Sequence, residues 1–513
     1  MLFRVFAVMA VLVASVALAI GSDVFSINDA IQQAVRTNPA VSEASANRRA
    51  TEAELRQAQG TVLPQVRLEA NAGPEKLRRY ISPAPVDNGV YQRGREVSVV
   101  IRQTLFDGFA SINEIWRQAA RVDAAALRVL ERTELIALDA SEAYIDVVRY
   151  QRIVALAEEN LRVHYGVREN VRARFRGGRA GEGDSQQAEE RVASAQAVLS
   201  EFRLSLETAR ASYRKTVGLE PFNLRFPGRL GGLPASKDAS LAIAVRYNPT
   251  IRAAQADVDA AKRAFDATAG AFVPQVSLEG RASRGADSVL YNGQYDEVSG
   301  KVVMSWDIFR GGQDSWKRKE AAERMIEETQ KHARLQRGAV EALDKAWAAR
   351  TITTERAAAL LRDVEAARRT YIAYNKEYEL GQRTLIDVLN AQNQYFNAQV
   401  SLVSARGTTV FADYQLLAAM GHLLTYLKTA GPPEIDLLET RPLGFIPVKF
   451  PPVILSAPSP GPEPLHVAAR PDWLGNILPS SEQAVMSAWD PWPKSGPRMT
   501  ATAQDYMING VRN

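Results

Sequence analysis

From Gly108 to Phe175 the chain reads GFASINEIWRQAARVDAAALRVLERTELIALDASEAYIDVVRYQRIVALAEENLRVHYGVRENVRARF. Steps of alternate threes and fours land on Ile112, Ile115, Ala119, Val122, Ala126, Val129, Thr133, Ile136, Ala140, Ala143, Val147, Tyr150, Val154, Ala157, Leu161, His164, Arg168, Val171 and Phe175. Only Thr133, His164 and Arg168 interrupt the apolar stripe. A stripe on a seven-residue beat marks a helix packed along a seam against other helices. The stretch holds no proline, and at 1.5 Å per residue it predicts a rod on the order of 100 Å long, too long for a compact globule. Because so many seam residues are alanine, the rod calls for close neighbours along its whole length and is expected as one stave among several. A coiled-coil spacer has the same periodicity.

Downstream, Arg176-Gly177-Gly178-Arg179-Ala180-Gly181-Glu182-Gly183-Asp184 turns the chain, and a return helix is predicted from Ser185 to about Val217, stopped by Gly218 and Pro221. Upstream, Asn38-Pro39 opens a helix that runs to about Gly60, with asparagine as cap and proline in the first turn, where its missing N–H costs nothing. Between that helix and the rod lie two strand patterns: Val66, Leu68 and Ala70 alternate with Arg67 and Glu69, and Val97, Val99 and Ile101 alternate with Glu96, Ser98 and Arg102. The segment joining them, with Gly73-Pro74, Pro83, Pro85 and Asn88-Gly89, is expected to be a loop.

This plan occurs twice. Ala34-Val35-Arg36-Thr37-Asn38-Pro39 returns as Ala244-Val245-Arg246-Tyr247-Asn248-Pro249, and Pro64-Gln65-Val66 as Pro274-Gln275-Val276, both at an offset of 210. Beyond the strands the offset is 203, relating Phe106 to Phe309, Gly108 to Gly311, Tyr144 to Trp347, Gly178 to Gly381, Asp184 to Asp387 and Gly218 to Gly421. The missing seven residues fall between the two strands, which marks that connection as an exposed tip. The second rod, Gly311 to Tyr378, has the same 68 residues as the first, and a return helix follows from about Leu385 to Met420. The expected division is a signal peptide over 1–19, a first repeat over 20–220, a connecting loop over 221–236, a second repeat over 237–424 and a Pro-rich tail over 425–513, extended or partly disordered. The signal reading rests on Arg4, the apolar run Val5 to Val16 and the small-x-small pattern Ala17-Leu18-Ala19.

The composition excludes several classes. A net charge of +5 over 513 residues supplies no basic tract for nucleic acid. With no cysteine there can be no disulfide, thiolate metal site or lipid-modified N-terminal cysteine, and the four histidines lack ligand spacing, so no cofactor or metal is expected. There is no Gly-x-Ser-x-Gly, and the glycines from Gly177 to Gly183 lack the lysine of a phosphate loop. An enzyme is not expected.

The strands are about ten residues long, apolar on one face and polar or charged on the other, as in an outer-membrane barrel; a soluble hairpin covering a core has the same pattern. If the rods satisfy one another's seams, no core is left for that apolar face. The other face carries Arg67, Glu69, Arg102, Glu279, Arg281 and Lys301, which suits a watery lumen. Four strands cannot close in lipid, so copies must join, and twelve strands from three copies leave a passage where eight would be filled by side chains. The expected fold is mainly α with a small β part: long antiparallel helical hairpins forming an α-barrel, with four strands per chain in a twelve-stranded trimeric barrel.

The chain resembles the TolC family of outer-membrane exit ducts, from about Ser26 to Leu424 and in its internal duplication. The most specific stretch is Tyr378-Glu379-Leu380-Gly381-Gln382-Arg383-Thr384-Leu385-Ile386-Asp387-Val388-Leu389-Asn390-Ala391-Gln392, followed by Leu416-Leu417-Ala418-Ala419-Met420-Gly421. Asn38-Pro39, Leu105-Phe106-Asp107-Gly108 and Asn248-Pro249 support it. The resemblance implies a homotrimer in outer-membrane lipid with a long periplasmic extension, opened by a periplasmic adaptor that links it to an inner-membrane ABC or proton-driven pump. It implies a periplasmic gate at Asp184, Tyr378, Arg383 and Asp387, with Asn390 standing where the family has a second acidic residue. It also implies adaptor docking at Gly178, Arg179, Gly381 and Gln382. The same residues have local readings: Thr384 and Asp387 fit a helix-capping pair, Gly178 and Gly381 helix stops, Tyr378 a seam aromatic and Arg383 a solvated side chain. The expected function is a passive, gated exit, nearest to type I protein secretion. Multidrug or metal efflux is the alternative, and a coiled-coil scaffold outside the membrane is the competing class.

Overall fold

The computed structural model describes residues 24–438, apart from 77, 82–83, 88–90 and 289–290. The signal-peptide reading and the tail reading beyond 438 lie outside the described residues. The two rods are continuous helices of 67 residues each, α3 (Ala110–Arg176) and α7 (Gln313–Glu379). Each repeat runs in the same order. In the first, α1 (Ile27–Thr37) and α2 (Pro39–Gly60) precede the strands β1 (Gln65–Glu75) and β4 (Gln92–Phe106), and α4 (Glu182–Val217) returns along the rod. In the second, α5 (Lys237–Tyr247) and α6 (Pro249–Ala267) precede β5 (Gln275–Ser288) and β6 (Tyr291–Ser305), and α8 (Leu385–Ala419) returns; a short α9 (Leu423–Leu427) follows.

Two differences from the sequence reading stand out. An eleven-residue helix precedes each Asn-Pro, the first opened by a capping box in which Ser26 and Asp29 satisfy each other's backbone N–H groups. In addition, the Pro-containing connection between β1 and β4 includes a small hairpin, β2 (Arg78–Ile81) paired with β3 (Ala84–Asp87), with Tyr80 opposite Pro85. A two-stranded ribbon is all edge, so a proline costs it no interior ladder bond.

The repeated Asn-Pro does more than open a helix. Asn38 Oδ1 accepts the N–H of Ala40 at 3.0 Å while its Nδ2 donates to Thr216 O, also at 3.0 Å, at the end of α4. Asn248 likewise accepts from Thr250 N and donates to Ala419 O, each at 3.0 Å. One side chain thus caps the end of the return helix and the start of the next, joining two shorter helices end to end beside the unbroken rod. The junction is tight: at Gly421, with φ +67°, a Cβ would come within 2.6 Å of Pro249 Cδ.

The four long strands form one antiparallel sheet in the order β1-β4-β5-β6, so the two hairpins adjoin and β1 and β6 are its edges. Register fixes the faces. Leu68 pairs with Val99, Val99 with Ala282 and Ala282 with Val298, while Glu69 pairs with Ser98, Arg102 with Glu279 and Glu279 with Lys301. The buried core lies in the helices, where α3 packs against α2 and α4 of its own repeat and against α6 and α8 of the other. There the seam read from the sequence is buried from Ile115 to Val171, with Tyr150, Leu161 and Arg168 half-covered; Phe175, at the tip, is exposed. Thr133 fits the seam by donating its hydroxyl to Val129 O at 2.7 Å. The second rod corrects the expectation that the rods satisfy one another: within one chain α7 buries only Leu343, Ala346 and Ala367.

Candidate functional site

Both rods end in the same turn. Gly178, at φ +68°, donates to Phe175 O at 2.9 Å and Arg179 N donates to Arg174 O at 2.8 Å. Gly381, at φ +77°, donates to Tyr378 O at 3.0 Å and Gln382 N donates to Glu377 O at 2.8 Å. The left-handed residue lets the two amides reach back to carbonyls the helix leaves open. A Cβ on either glycine would meet nothing within 4 Å, so φ alone demands glycine and the turns are bare. Gly178, Arg179, Gly381 and Gln382 are all exposed.

A small apolar cluster gathers the two tips: Val171 of α3, Ala188 of α4 and Leu385 and Leu389 of α8, with Val167 and Tyr378 against it. The residues of both repeats that the resemblance marked as a gate therefore sit at one end of the molecule. The Arg174 guanidinium lies 4.6 Å from the centre of the Tyr378 ring. Arg383 donates from Nε to Glu377 at 2.9 Å and stacks 3.9 Å from the centre of the Tyr374 ring. Thr384 Oγ1 donates to Asp387 Oδ2 at 2.6 Å but accepts no backbone N–H, so the two form a side-chain pair rather than a capping box. Asn390 is exposed; Asp184 is half-buried in the first turn of α4, with no ion pair among the described residues. Within one chain, then, Arg383 is tied to Glu377 and not to Asp184. The sequence reading missed Arg174, Tyr374 and Glu377 because these contacts cross the turn or pass between helices.

Deeper in the same bundle, Gln392 Nε2 donates to Asn160 Oδ1 at 3.1 Å, joining α8 to α3, and His164 is buried one turn further along. Burial and the nearby Arg191 hold the His164 imidazole below its usual pKa, which keeps it neutral in the seam.

At the other end of the molecule the sheet reverses the soluble pattern. Its apolar face is open: Leu68 is 71% exposed, Val298 85% and Met304 68%. Its polar face buries Ser98, Ser277 and Ser283 and pairs its charges, Arg102 with Glu279 at 3.5 Å, Arg67 with Glu69 at 3.7 Å and Arg281 with Glu96. Among the described residues no helix is long and apolar enough to cross a membrane; the open apolar face of the sheet is a surface matched to lipid.

Residues 30–219 and 241–422 match the family described as outer membrane efflux protein, and the two matched blocks coincide with the two repeats. The outer membrane efflux protein BepC of Brucella suis is 28% identical over 400 residues, 78% of this chain and 86% of that protein. The alkaline protease secretion protein AprF of Pseudomonas aeruginosa is 23% identical over 66% of this chain and 71% of its own length. The crystal structure of the outer membrane protein VceC from Vibrio cholerae superposes with a TM-score of 0.69 at 20% identity, over 77% of this chain and 96% of that one. With a repeat-by-repeat family match, a lipid-suited sheet at one end and paired helical turns at the other, the chain belongs to the outer membrane efflux protein family, the TolC-like ducts that conduct and do not catalyse.

Proposed function

We propose that three copies close a twelve-stranded barrel over a ring of twelve helical staves and form a passive, gated exit for an export system. The carrying observation is how the two repeats meet inside one chain. Gly407 of α8 lies against Ile145 and Arg149 of α3, with a Cβ placed there 3.5 Å and 3.2 Å from them. At the offset of 203, Gly407 corresponds to Leu204, and Ile145 and Arg149 to Ala348 and Ile352. Leu204 is 70% exposed and Ile352 61%. If the second repeat of one copy meets the first repeat of the next as the repeats meet within a chain, these two side chains cover each other. The same offset places Arg337 beside the Glu220 region of the next copy. Four strands with two open edges need such partners in lipid.

The test uses the natural absence of cysteine. Leu204→Cys with Ile352→Cys is expected to give oxidised bands of two and three chains in outer-membrane fractions, ending at three. Monomers alone would sink the ring.

At the tip, we assign the gate to Asp184, Tyr378, Arg383, Asp387 and Asn390, and adaptor docking to Gly178, Arg179, Gly381 and Gln382. Supporting this are the convergence of both repeats on one apolar cluster and the bare turns beside it. Asp387 gathered around a threefold axis repels its copies, and Thr384 partly offsets this by donating to it. Asp184→Ala or Tyr378→Phe should raise single-channel conductance in a planar bilayer; no change in either removes both from the gate. A pump reached through a periplasmic adaptor supplies the energy. Type I protein secretion is the favoured pathway, supported by AprF, whose name is that of a protease secretion protein, while BepC is named for efflux. Comparing secreted proteins and drug tolerance of a deletion strain with its parent separates the two.

A further inference from the structure

The outward face of the sheet changes character along the strands. Nearest the helices it is apolar, with Val97, Val99, Ile101 and Leu105 on β4 interrupted by Gln103. That run covers about 26 Å along the strand, comparable to the apolar band of a membrane barrel. At and beyond its edge, at the end away from the helices, arginines take the same outward positions. Arg93 lies opposite Pro74, Arg95 opposite Ala72 and Ala286, and Arg284 opposite Val97 and Asp296.

Two observations single out this rim, the first of them at Arg93 and Arg95. On the lumen side each of Arg67, Arg102 and Arg281 has a carboxylate partner. On the outward rim Arg93 and Arg95 are exposed and make no ion pair among the described residues; Arg284 beside them is paired, like the lumen-side arginines, with Asp296 at 3.5 Å. Secondly, the surface between Arg95 and Arg284 is hollowed by small side chains. Ala70, Ala72, Val97 and Ala286 line a depression of about 460 Å³ on the same face.

We propose that Arg93, Arg95 and Arg284 bind the phosphate-bearing glycolipid headgroups of the outer leaflet, with an acyl chain seated in the depression. This rests on the barrel reading above, which places the helices in the periplasm and this rim at the outer leaflet, where a Gram-negative membrane carries phosphorylated glycolipid. Guanidinium groups match phosphate oxygens in pairs, and at the border of an apolar band they meet headgroups without entering hydrocarbon. The depression selects a lipid over free phosphate, which has no chain to place there.

The test is lipid retention by the full-length protein extracted from outer membranes in mild detergent, counted by native mass spectrometry. The wild type should carry lipopolysaccharide. Arg93→Gln with Arg95→Gln should lower retention at least tenfold, Arg284→Gln severalfold, and the lumen-side Arg67→Gln, with the same change in charge as Arg284→Gln, not at all. Should the double variant fail to assemble, Arg95→Gln alone carries the comparison. Stripped wild-type protein should rebind lipid A but not its dephosphorylated form, and millimolar inorganic phosphate should not displace it. Undiminished retention in the rim variants, equal loss in Arg67→Gln, equal binding of dephosphorylated lipid or displacement by free phosphate would each overturn the site. A wild type that runs only as a monomer would overturn the barrel reading instead, a result visible before any lipid is counted.

Discussion

The first rod and the second are the same length and occupy equivalent places in the repeat, yet α3 has a buried line from Ile115 to Val171 whereas α7 buries three residues. The cause is position. Helices of both repeats flank α3, whereas α7 packs mainly against α5, α6 and α8 of its own repeat. Its chemistry has diverged to match: Val147, fully buried in α3, corresponds to Arg350 in α7, which reaches Asp413 on α8 at 3.0 Å. Asp413, also fully buried, binds Arg229 of the connecting loop through contacts of 2.6 and 2.9 Å and so ties that loop to both helices of the second hairpin. A shared repeat plan therefore sets the length and direction of a helix, while its neighbours determine which face must be apolar.

The sharpest way to break this contrast is one charge in each rod. Val147→Asp buries an unpaired carboxylate and should cost more than about 4 kcal/mol, removing the chain from outer-membrane fractions. Ile352→Asp should leave the helical circular-dichroism signal intact and shift the detergent-extracted chain from trimer to monomer in size-exclusion chromatography; if it also unfolds the chain, α7 is not an interface. Next in size is Asp413→Asn, which leaves Arg229 and Arg350 without a counter-charge. Both arginines are partly open to water, so the loss is about 2 kcal/mol and appears as a lower thermal midpoint that Val147-side substitutions of equal volume do not reproduce.

A pH-dependent effect, absent below about pH 5, concerns Glu134, on α3. Its carboxylate accepts the N–H groups of Leu423 and Leu424 at 3.1 and 3.2 Å, and burial raises its pKa to about 7. A carboxyl whose folded pKa is raised keeps its proton longer than the unfolded chain does. Its stabilising contribution is therefore present below the unfolded value near 4.5 and lost as pH climbs through 7. Glu134→Gln should leave stability at pH 5 nearly unchanged and raise it at pH 8, by up to about 3 kcal/mol, read as a higher thermal midpoint. Equal shifts at both pH values would show that the carboxyl does not titrate there. The counterpart in the second rod, Arg337, is exposed, and Arg337→Gln should carry no such pH signature.

Much of this architecture was legible in the residues. The rod bounds, the two return helices, the turns at Gly178 and Gly381 and the two faces of the sheet follow from period and punctuation, because a seven-residue stripe or a two-residue alternation states which side chains share a face. Two local elements were missed, the helices before each Asn-Pro and the β2–β3 hairpin; the rest of what escaped depends on a partner across a turn or on another element. Asn38 reads as a cap, but nothing near it announces Thr216; Arg383 reads as solvated, but its partner Glu377 lies across the turn; the outward arginines of the rim look like any charged strand end.

The sequence by itself determined the repeat, the lengths of its helices and the strand faces, since each is written in neighbours a few residues apart. Only the tertiary structure decided that one rod is enclosed and the other open, that asparagine joins helices end to end, and that no helix of the chain covers the sheet's apolar face. Those outcomes depend on which distant surfaces meet, and local propensity carries no record of the surface a side chain will find.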